Sequence, residues 1–144
     1  MGQKRTLLDN QSRPILLLSK NIFSFGTKWQ ASDPNGNRLL YSVEPKIFSW
    51  KPHINIFLND GDREPDFKVS GSMMKRDFQI FDKRNGGKRL IASCSKQRPY
   101  QSAEAFLSHM FGSDRYYLQI EPNTDAAFCV SLCLLLDELY NDEK

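Results

Sequence analysis

The stretch that decides the fold is Ala126-Ala-Phe-Cys-Val-Ser-Leu-Cys-Leu-Leu-Leu136, which follows the strand-like segment Arg115-Tyr-Tyr-Leu-Gln-Ile-Glu121 and the turn Pro122-Asn-Thr-Asp125. Ser131 is the only polar residue of this run. A helix that is apolar on every side has to be surrounded by protein. The run is about half as long as a helix that crosses a bilayer. The sequence therefore predicts a buried central helix rather than a membrane span.

Strand patterns separated by turn residues fill most of the upstream sequence. A sheet that curls around the helix is therefore expected to bury it. Hairpins are predicted between residues 5–8 and 14–18, and between residues 26–31 and 38–43 across Asp33-Pro-Asn-Gly36. Only residues 102–110 are left as a loop or a short helix. The other predicted strands are 55–58, 66–71, 78–81, 89–93 and 115–121, with turns at 60–62 and 85–87.

The helix has a readable start and a predicted set of core neighbours. Asn123 or Thr124 is expected to cap its first N–H groups, and Asp125 suits the positive end of the helix dipole. Residues from Asn141 onward are expected to form a solvated tail. The side chains expected to be largely buried are Trp29, Phe67, Val69, Ile80, Leu90, Leu118, Ile120, Phe128, Leu132 and Leu135.

Length and cysteine content limit the class of protein. A chain of 144 residues with 40% hydrophobic content can bury one core, so a single domain is expected over residues 1–144. Three cysteines and the absence of a secretory signal at the start of the sequence indicate a reducing compartment. The expected location is intracellular, in the cytoplasm, at the inner face of the plasma membrane or in the nucleus.

Positive charge is concentrated in one region. The formal net charge of the chain is +3, which alone does not indicate a nucleic-acid partner. Residues 72–98 contain eight bases and two acids, or +6, so the rest of the chain sums to −3. The candidate lipid-binding residues are the six bases around one predicted hairpin: Lys75, Arg76, Lys83, Arg84, Lys88 and Arg89.

Two motifs are the most specific in the chain. One is Pro-Asn-x-Asp-x-Ala-Phe at residues 122–128, and the other is Asp-Phe-Lys-Val-Ser-Gly at residues 66–71. With Lys-Arg-Thr-Leu-Leu-Asp-Asn-Gln-Ser-Arg-Pro at residues 4–14, Trp29 before a hairpin and Leu-Tyr-Ser-Val at residues 40–43, they resemble the plant LURP-one-related family. The resemblance covers essentially the whole chain.

This family is similar to the Tubby C-terminal domain and the phospholipid scramblases. The resemblance implies a mainly β protein, a Tubby-like antiparallel barrel wrapped around the hydrophobic C-terminal helix. Family members have opening strands before the segment that resembles residues 4–14, and this chain lacks them. The barrel is therefore expected to be incomplete at its N-terminus, with an open edge that invites aggregation or pairing with another chain.

The sequence gives little support for catalysis, and no enzyme activity, metal or cofactor is expected. His53 and His109 are far apart in sequence and have no carboxylate or cysteine at metal-ligand spacing. Cys129 and Cys133 lie on one helix face and could hold a metal or form a redox pair, but small buried cysteines are the simpler interpretation, as for Cys94. The acids at positions 60, 62, 64 and 66 lack the EF-hand spacing.

The remaining hypotheses concern binding. Tubby domains bind phosphoinositides through basic residues, so the resemblance implies a headgroup-binding or membrane-tethered interaction domain associated with plant defence. The alternative is a protein-binding regulator with an unknown partner, whose bases only keep the hairpin soluble. Scramblase activity would require the short helix to enter the bilayer. Nucleic-acid binding rests on the same bases plus tyrosines, and no recognised DNA or RNA module is present.

Overall fold

The computed structural model describes residues 3–23, 26–46, 53–59, 64–72, 77–96, 106–111 and 114–142. In these ranges ten β-strands form one antiparallel sheet, and one α-helix follows them. The elements are β1 (Gln3–Leu8), β2 (Pro14–Phe23), β3 (Gly26–Ser32), β4 (Leu39–Lys46), β5 (His53–Phe57), β6 (Phe67–Ser72), β7 (Asp77–Asp82), β8 (Arg89–Ser95), β9 (Phe106–Phe111), β10 (Asp114–Ile120) and α1 (Ala126–Asp142).

The strand order is β1-β2-β3-β4-β5-β6-β7-β8-β10-β9. The first eight strands form a meander, in which each strand pairs with the next one along the chain. The order changes once, because β10 lies between β8 and β9. In the described part of the chain β1 and β9 are therefore the two edges of the sheet, and they do not pair with each other.

Side chains from strands across the whole sheet contact the helix. Tyr41 of β4 and Phe67 of β6 pack their rings against Phe128, with centroids 5.1 and 4.8 Å away. The edge strand β1 and the strand β10, which lies next to the other edge, also reach α1. Arg5 Nε of β1 lies 3.4 Å from Glu138 Oε1, and the Tyr116 hydroxyl of β10 donates a hydrogen bond of 2.8 Å to Asp137 Oδ1.

These contacts require the sheet to curl. Strands lie about 4.8 Å apart, so β1 and β10 would be almost 40 Å apart in a flat sheet. An α-helix with its side chains is only about 10 Å wide. The same helix can contact both strands only if the sheet wraps around it. The predicted fold class is confirmed: a mainly β, incompletely closed barrel around a hydrophobic helix.

The core lies between the concave face of the sheet and the helix. Leu132, Cys133 and Leu135 of α1 are about 1% exposed, and Phe128, Val130 and Leu134 pack against the core while partly buried. Of the predicted core residues, Trp29, Phe67, Val69, Ile80, Leu118, Leu132 and Leu135 are buried, and Ile120 and Phe128 are partly buried. The single polar residue of the central run, Ser131, is fully buried and hydrogen-bonded: its hydroxyl donates to the Phe128 carbonyl at 2.7 Å and contacts the Tyr41 hydroxyl.

The prediction for Leu90 was wrong, because its side chain is 39% exposed. The cause is a β-bulge, since Ile80 pairs with Ala92 while Phe81 pairs with Leu90. The extra residue, Ile91, shifts the alternation of side chains by one position. Ile91 and Ala92 are consequently both buried, and Leu90 faces outward.

Three further expectations are corrected by the structure. Part of the segment left as a loop or helix is a strand, β9, which pairs along β10. Neither Asn123 nor Thr124 caps the helix, because Asp125 Oδ1 accepts the hydrogen bond from the Phe128 N–H at 3.2 Å. The helix also continues through Asn141 to Asp142. The predicted turn at residues 60–62 lies outside the described residues.

Candidate functional site

The tip of the β7–β8 hairpin is shaped by its turn residues. A short 3₁₀ turn, Arg84–Gly86, joins the two strands, with φ of 60° at Asn85 and 72° at Gly86. Asparagine and glycine tolerate such positive φ values better than other residues do. Asp82 Oδ1 accepts a hydrogen bond of 2.9 Å from the Arg84 N–H and fixes the entry to the turn. The sequence signal Asn-Gly-Gly thus produces the predicted hairpin.

A groove of about 760 Å³ lies at this tip. Five basic and three acidic side chains line it, so its formal charge is +2. Four of the bases come from the hairpin itself and are called the basic hairpin: Lys83, Arg84, Lys88 and Arg89. The fifth base of the groove is Lys68, and its three acids are Glu64, Asp66 and Asp82.

Asp82 neutralises part of this charge. Its carboxylate accepts hydrogen bonds from Arg84 Nε at 3.0 Å and from Arg84 Nη2 at 2.8 Å, and Arg89 Nη2 lies 3.7 Å away. This two-point contact holds the Arg84 guanidinium in a defined orientation. The side-chain hydrogen bonds from Arg84 lower the pKa of Asp82, which is therefore ionised at neutral pH.

Aromatic rings hold two cations of the basic hairpin in place. The Arg84 guanidinium lies 5.0 Å from the centre of the Phe67 ring, and Lys88 Nζ lies 4.8 Å from that of Phe81. Such cation–π contacts orient a cation while leaving it available to an anion. Lys83 and Lys88 form no ion pair with any described residue.

Asp66 ties the hairpin to its neighbours and accounts for the start of the 66–71 motif. Its backbone carbonyl accepts a hydrogen bond of 2.8 Å from the Lys83 N–H, and its N–H donates to the Ile56 carbonyl at 2.9 Å. Its Oδ2 accepts from the Leu58 N–H at 2.8 Å. Asp66 therefore fixes one wall of the groove, and its main contribution is structural.

A second, mostly apolar cavity of about 560 Å³ adjoins the groove. The two share three lining residues, Asp82, Arg84 and Arg89. The other walls of this cavity come from β2, β4, β6, β8, Leu58 after β5, the segment that enters the helix and the first turn of α1. Its apolar lining includes Ile15, Leu40 and Phe128.

Comparison with known proteins identifies the family of this chain. The family model described as LURP-one-related matches residues 1–137. The chain belongs to the LURP-one-related family. No solved structure shows a significant match to it.

Relatives in this family include three proteins of Arabidopsis thaliana. The chain is 26% identical to Protein LURP-one-related 15 over 150 residues, which cover 100% of this chain and 65% of that protein. It is 29% identical to Protein LURP-one-related 10, covering 100% of this chain and 74% of that relative. It is 27% identical to Protein LURP1, covering 94% and 65% respectively. The chain thus spans about two thirds of the length of these relatives.

The structure brings together four of the six bases singled out in the sequence. Lys83, Arg84, Lys88 and Arg89 surround one groove at the hairpin tip. Lys75 and Arg76 lie outside the described residues. The side chains of His53 and His109 are also outside the described part of the structure.

The sequence did not indicate that Asp82, Phe67 and the apolar cavity belong to the same region. Asp82 was visible only as an acid beside Lys83, and its pairing with Arg84 depends on the turn. Ile15 and Leu40 are large apolar residues that are 39% and 37% exposed. Side-chain alternation along the two strands was the available signal, because it places them off the main core face.

The three cysteines are buried thiols in the structure. Burial raises the pKa of Cys129 to about 12. A hydrogen bond with Cys94, together with burial, raises the pKa of Cys133. The Cys129 and Cys133 thiols are consequently protonated at neutral pH and are poor nucleophiles. No helix in the described part of the chain is long and apolar enough to span a membrane.

The Asp82 interaction is expected to make stability depend on pH. Its pKa in the folded protein lies below the ordinary value of 3.8, so its contribution is present above that value and is lost as the pH falls through the folded pKa. An Asp82→Asn variant should be less stable than the parent by up to about 1 kcal/mol at neutral pH. Urea unfolding at pH 7 and at about pH 3 should show the difference shrinking at the lower pH.

Asparagine can still accept the Arg84 N–H, so this substitution isolates the effect of the charge. Arg84→Gln removes the other partner and should reduce the same pH-dependent part of the stability. If Asp82→Asn were less stable than the parent by the same free energy at both pH values, the expectation would be contradicted.

Proposed function

We propose that this LURP-one-related chain is a non-enzymatic module that binds the phosphorylated headgroup of an anionic phospholipid, of which phosphoinositides are the leading candidates. Binding would tether the chain to the cytoplasmic face of a membrane without inserting a helix. The observation that supports this proposal is the basic hairpin, four cations around one groove. Each base near an anionic membrane surface contributes about 1 kcal/mol of attraction.

The four cations have different roles in this proposal. Arg84 is engaged by Asp82 through two hydrogen bonds and so orders the turn. Lys83 and Lys88 are left to approach the phosphate oxygens, together with Arg89, whose side chain is largely exposed although its Nη2 lies 3.7 Å from Asp82 Oδ2. Lys88 is already oriented over Phe81, which lowers the entropy lost when it binds an anion.

A second candidate function is regulation through a protein partner. The observation that favours it is the presence of three carboxylates, Glu64, Asp66 and Asp82, in the same groove. They lower the positive potential that a bare phosphate would meet and create a mixed polar surface. In either case we place the protein in the setting that its family resemblance implies, plant defence.

The test is co-sedimentation with liposomes at about 150 mM salt, with and without phosphatidylinositol bisphosphate. The purified chain is first checked for folding by circular dichroism. The test variant is Lys83→Ala/Lys88→Ala/Arg89→Ala, which keeps the contact between Arg84 and Asp82. Losing three bases should weaken binding to the phosphoinositide vesicles roughly 100-fold.

A matched control is Lys4→Ala/Arg13→Ala/Arg38→Ala. These three bases are exposed, lie outside the groove and give the same change in net charge. Comparable loss of binding by both triple variants would show that only the overall charge matters. No binding of the folded parent chain to phosphoinositide vesicles would overturn the lipid proposal and favour a protein partner.

A further inference from the structure

Ile15, Leu40 and Arg89 mark a place where an apolar surface meets a basic one. Ile15 and Leu40 line the apolar cavity and remain 39% and 37% exposed. Exposed large apolar side chains that share one concave surface mark a binding site more often than isolated ones do. The cavity volume, about 560 Å³, lies within the range of small-molecule sites.

The cavity has a charged rim on one side. Arg84 and Arg89 line both the groove and the cavity, so the cations that face an anion in the groove also border the apolar walls. The arrangement is complementary to a ligand with an anionic head and an apolar tail. A free inorganic phosphate or a soluble inositol phosphate would use the groove but leave the apolar walls exposed to water.

The segment that enters the helix supplies a further polar contact. Thr124 lines the cavity, and its Oγ1 atom is buried with no hydrogen-bond partner among the described residues. A buried hydroxyl without a partner is unfavourable, and a ligand oxygen would satisfy it. The ester oxygens of a lipid lie between the headgroup and the acyl chain, which is the corresponding position between the basic rim and the apolar wall.

We infer that the apolar cavity receives an acyl chain of the anionic lipid whose headgroup is bound by the basic hairpin. This inference rests on the proposed function and extends it, because the protein would hold part of the lipid's tail rather than only touch the membrane surface. Arg84 and Arg89 lie at the junction between the two parts of the ligand. Recognition of the lipid would then depend on both its headgroup and its acyl chain.

The test is isothermal titration of the full chain with two soluble ligands that share a headgroup. One is dioctanoyl phosphatidylinositol bisphosphate, used below its micelle concentration, and the other is inositol trisphosphate, which has no acyl chain. The dioctanoyl lipid should bind to the protein at least tenfold more tightly than inositol trisphosphate does. Leu40→Asn makes the cavity wall polar without adding a charge near Arg84 and Arg89, so it should remove this preference and leave the affinity for inositol trisphosphate unchanged.

Leu8→Asn is the matched control, because Leu8 is 48% exposed and does not line the cavity. It should keep the tenfold preference. Ile15→Asn serves as a second cavity variant if Leu40→Asn does not melt cooperatively. Equal binding of the two ligands, or a preference that survives both cavity variants, would overturn the inference and leave the headgroup proposal intact. Failure of both ligands to bind would overturn the two together.

Discussion

Replacing Leu132 by aspartate is expected to abolish the folded state. Leu132 is 1% exposed and lies in the middle of the helix around which the sheet curls. An aspartate there would have to be buried without a partner, whether charged or neutral, and would also remove apolar contacts. Leucine-to-alanine substitutions in cores alone cost about 2–5 kcal/mol. The further burden of an unpaired carboxyl group brings the loss into the range of the whole stability of a domain, about 5–15 kcal/mol.

The measurement is thermal and urea unfolding followed by far-ultraviolet circular dichroism, together with the soluble yield. The matched control is Ala126→Asp, at the exposed first residue of the same helix. An acid is favourable near a helix N-terminus, so this variant should melt within a few degrees of the parent. A soluble Leu132→Asp protein with a cooperative transition would show that the helix is not the axis of the fold.

Replacing Gly71 by alanine is expected to have the second-largest effect. Gly71 has φ of 139°, and a Cβ atom at this position would lie 2.0 Å from the Asp77 backbone oxygen and 2.9 Å from Phe78 Cα. Both obstacles are backbone atoms of the paired strand, so the sheet itself would have to move. Strained backbone conformations cost about 1–3 kcal/mol, and the overlap adds to that. Chemical denaturation should show that Gly71→Ala lowers the free energy of unfolding by about 3 kcal/mol or more.

Two other glycines separate the contributions to this effect. Gly86 has φ of 72° and no atom within 4 Å of a built Cβ, so Gly86→Ala tests an unfavourable φ without overlap. Gly87 has φ of −87° and its Cβ would meet the Arg84 oxygen at 3.5 Å, an ordinary contact. We expect Gly86→Ala to lower the free energy of unfolding by about 1 kcal/mol, and Gly87→Ala to lower it by less. A Gly71→Ala protein as stable as Gly87→Ala would contradict the expectation.

The sequence was sufficient for the general architecture because its strongest signals are one-dimensional. The apolar run from Ala126 needs no partner to be recognised as a buried helix. The turn at residues 33–36 identifies one hairpin by composition alone, and the paired strands β3 and β4 are observed. Such features depend only on residues that are close in sequence, so a single amino-acid sequence is enough to predict them.

The errors come from effects that only the pairing of strands creates. Leu90 was assigned to the core by alternation, and a bulge at Ile91 reversed that alternation. The helix cap was assigned one or two residues too early because Asn123, Thr124 and Asp125 are all good capping residues. Only the backbone path after Pro122, with φ of 63° at Asn123, decides among them.

The candidate site was predictable only in part for the same reason. The basic hairpin was visible because its four bases are close in sequence. The ring of Phe67 beneath Arg84 and the cavity residues Ile15 and Leu40 come from strands that are distant in sequence. Their proximity is a property of the curled sheet, and composition does not encode it locally.

The position of the helix along the chain has a consequence for synthesis. All ten described strands precede α1, so the ribosome delivers the concave apolar face before the element that fills it. Domains emerge N-terminus first at about 5–20 residues per second, and unfilled apolar surface is prone to aggregate during that interval. The strands are therefore synthesised before the helix that covers their apolar face, and association between exposed apolar surfaces is a hazard until that helix has been added.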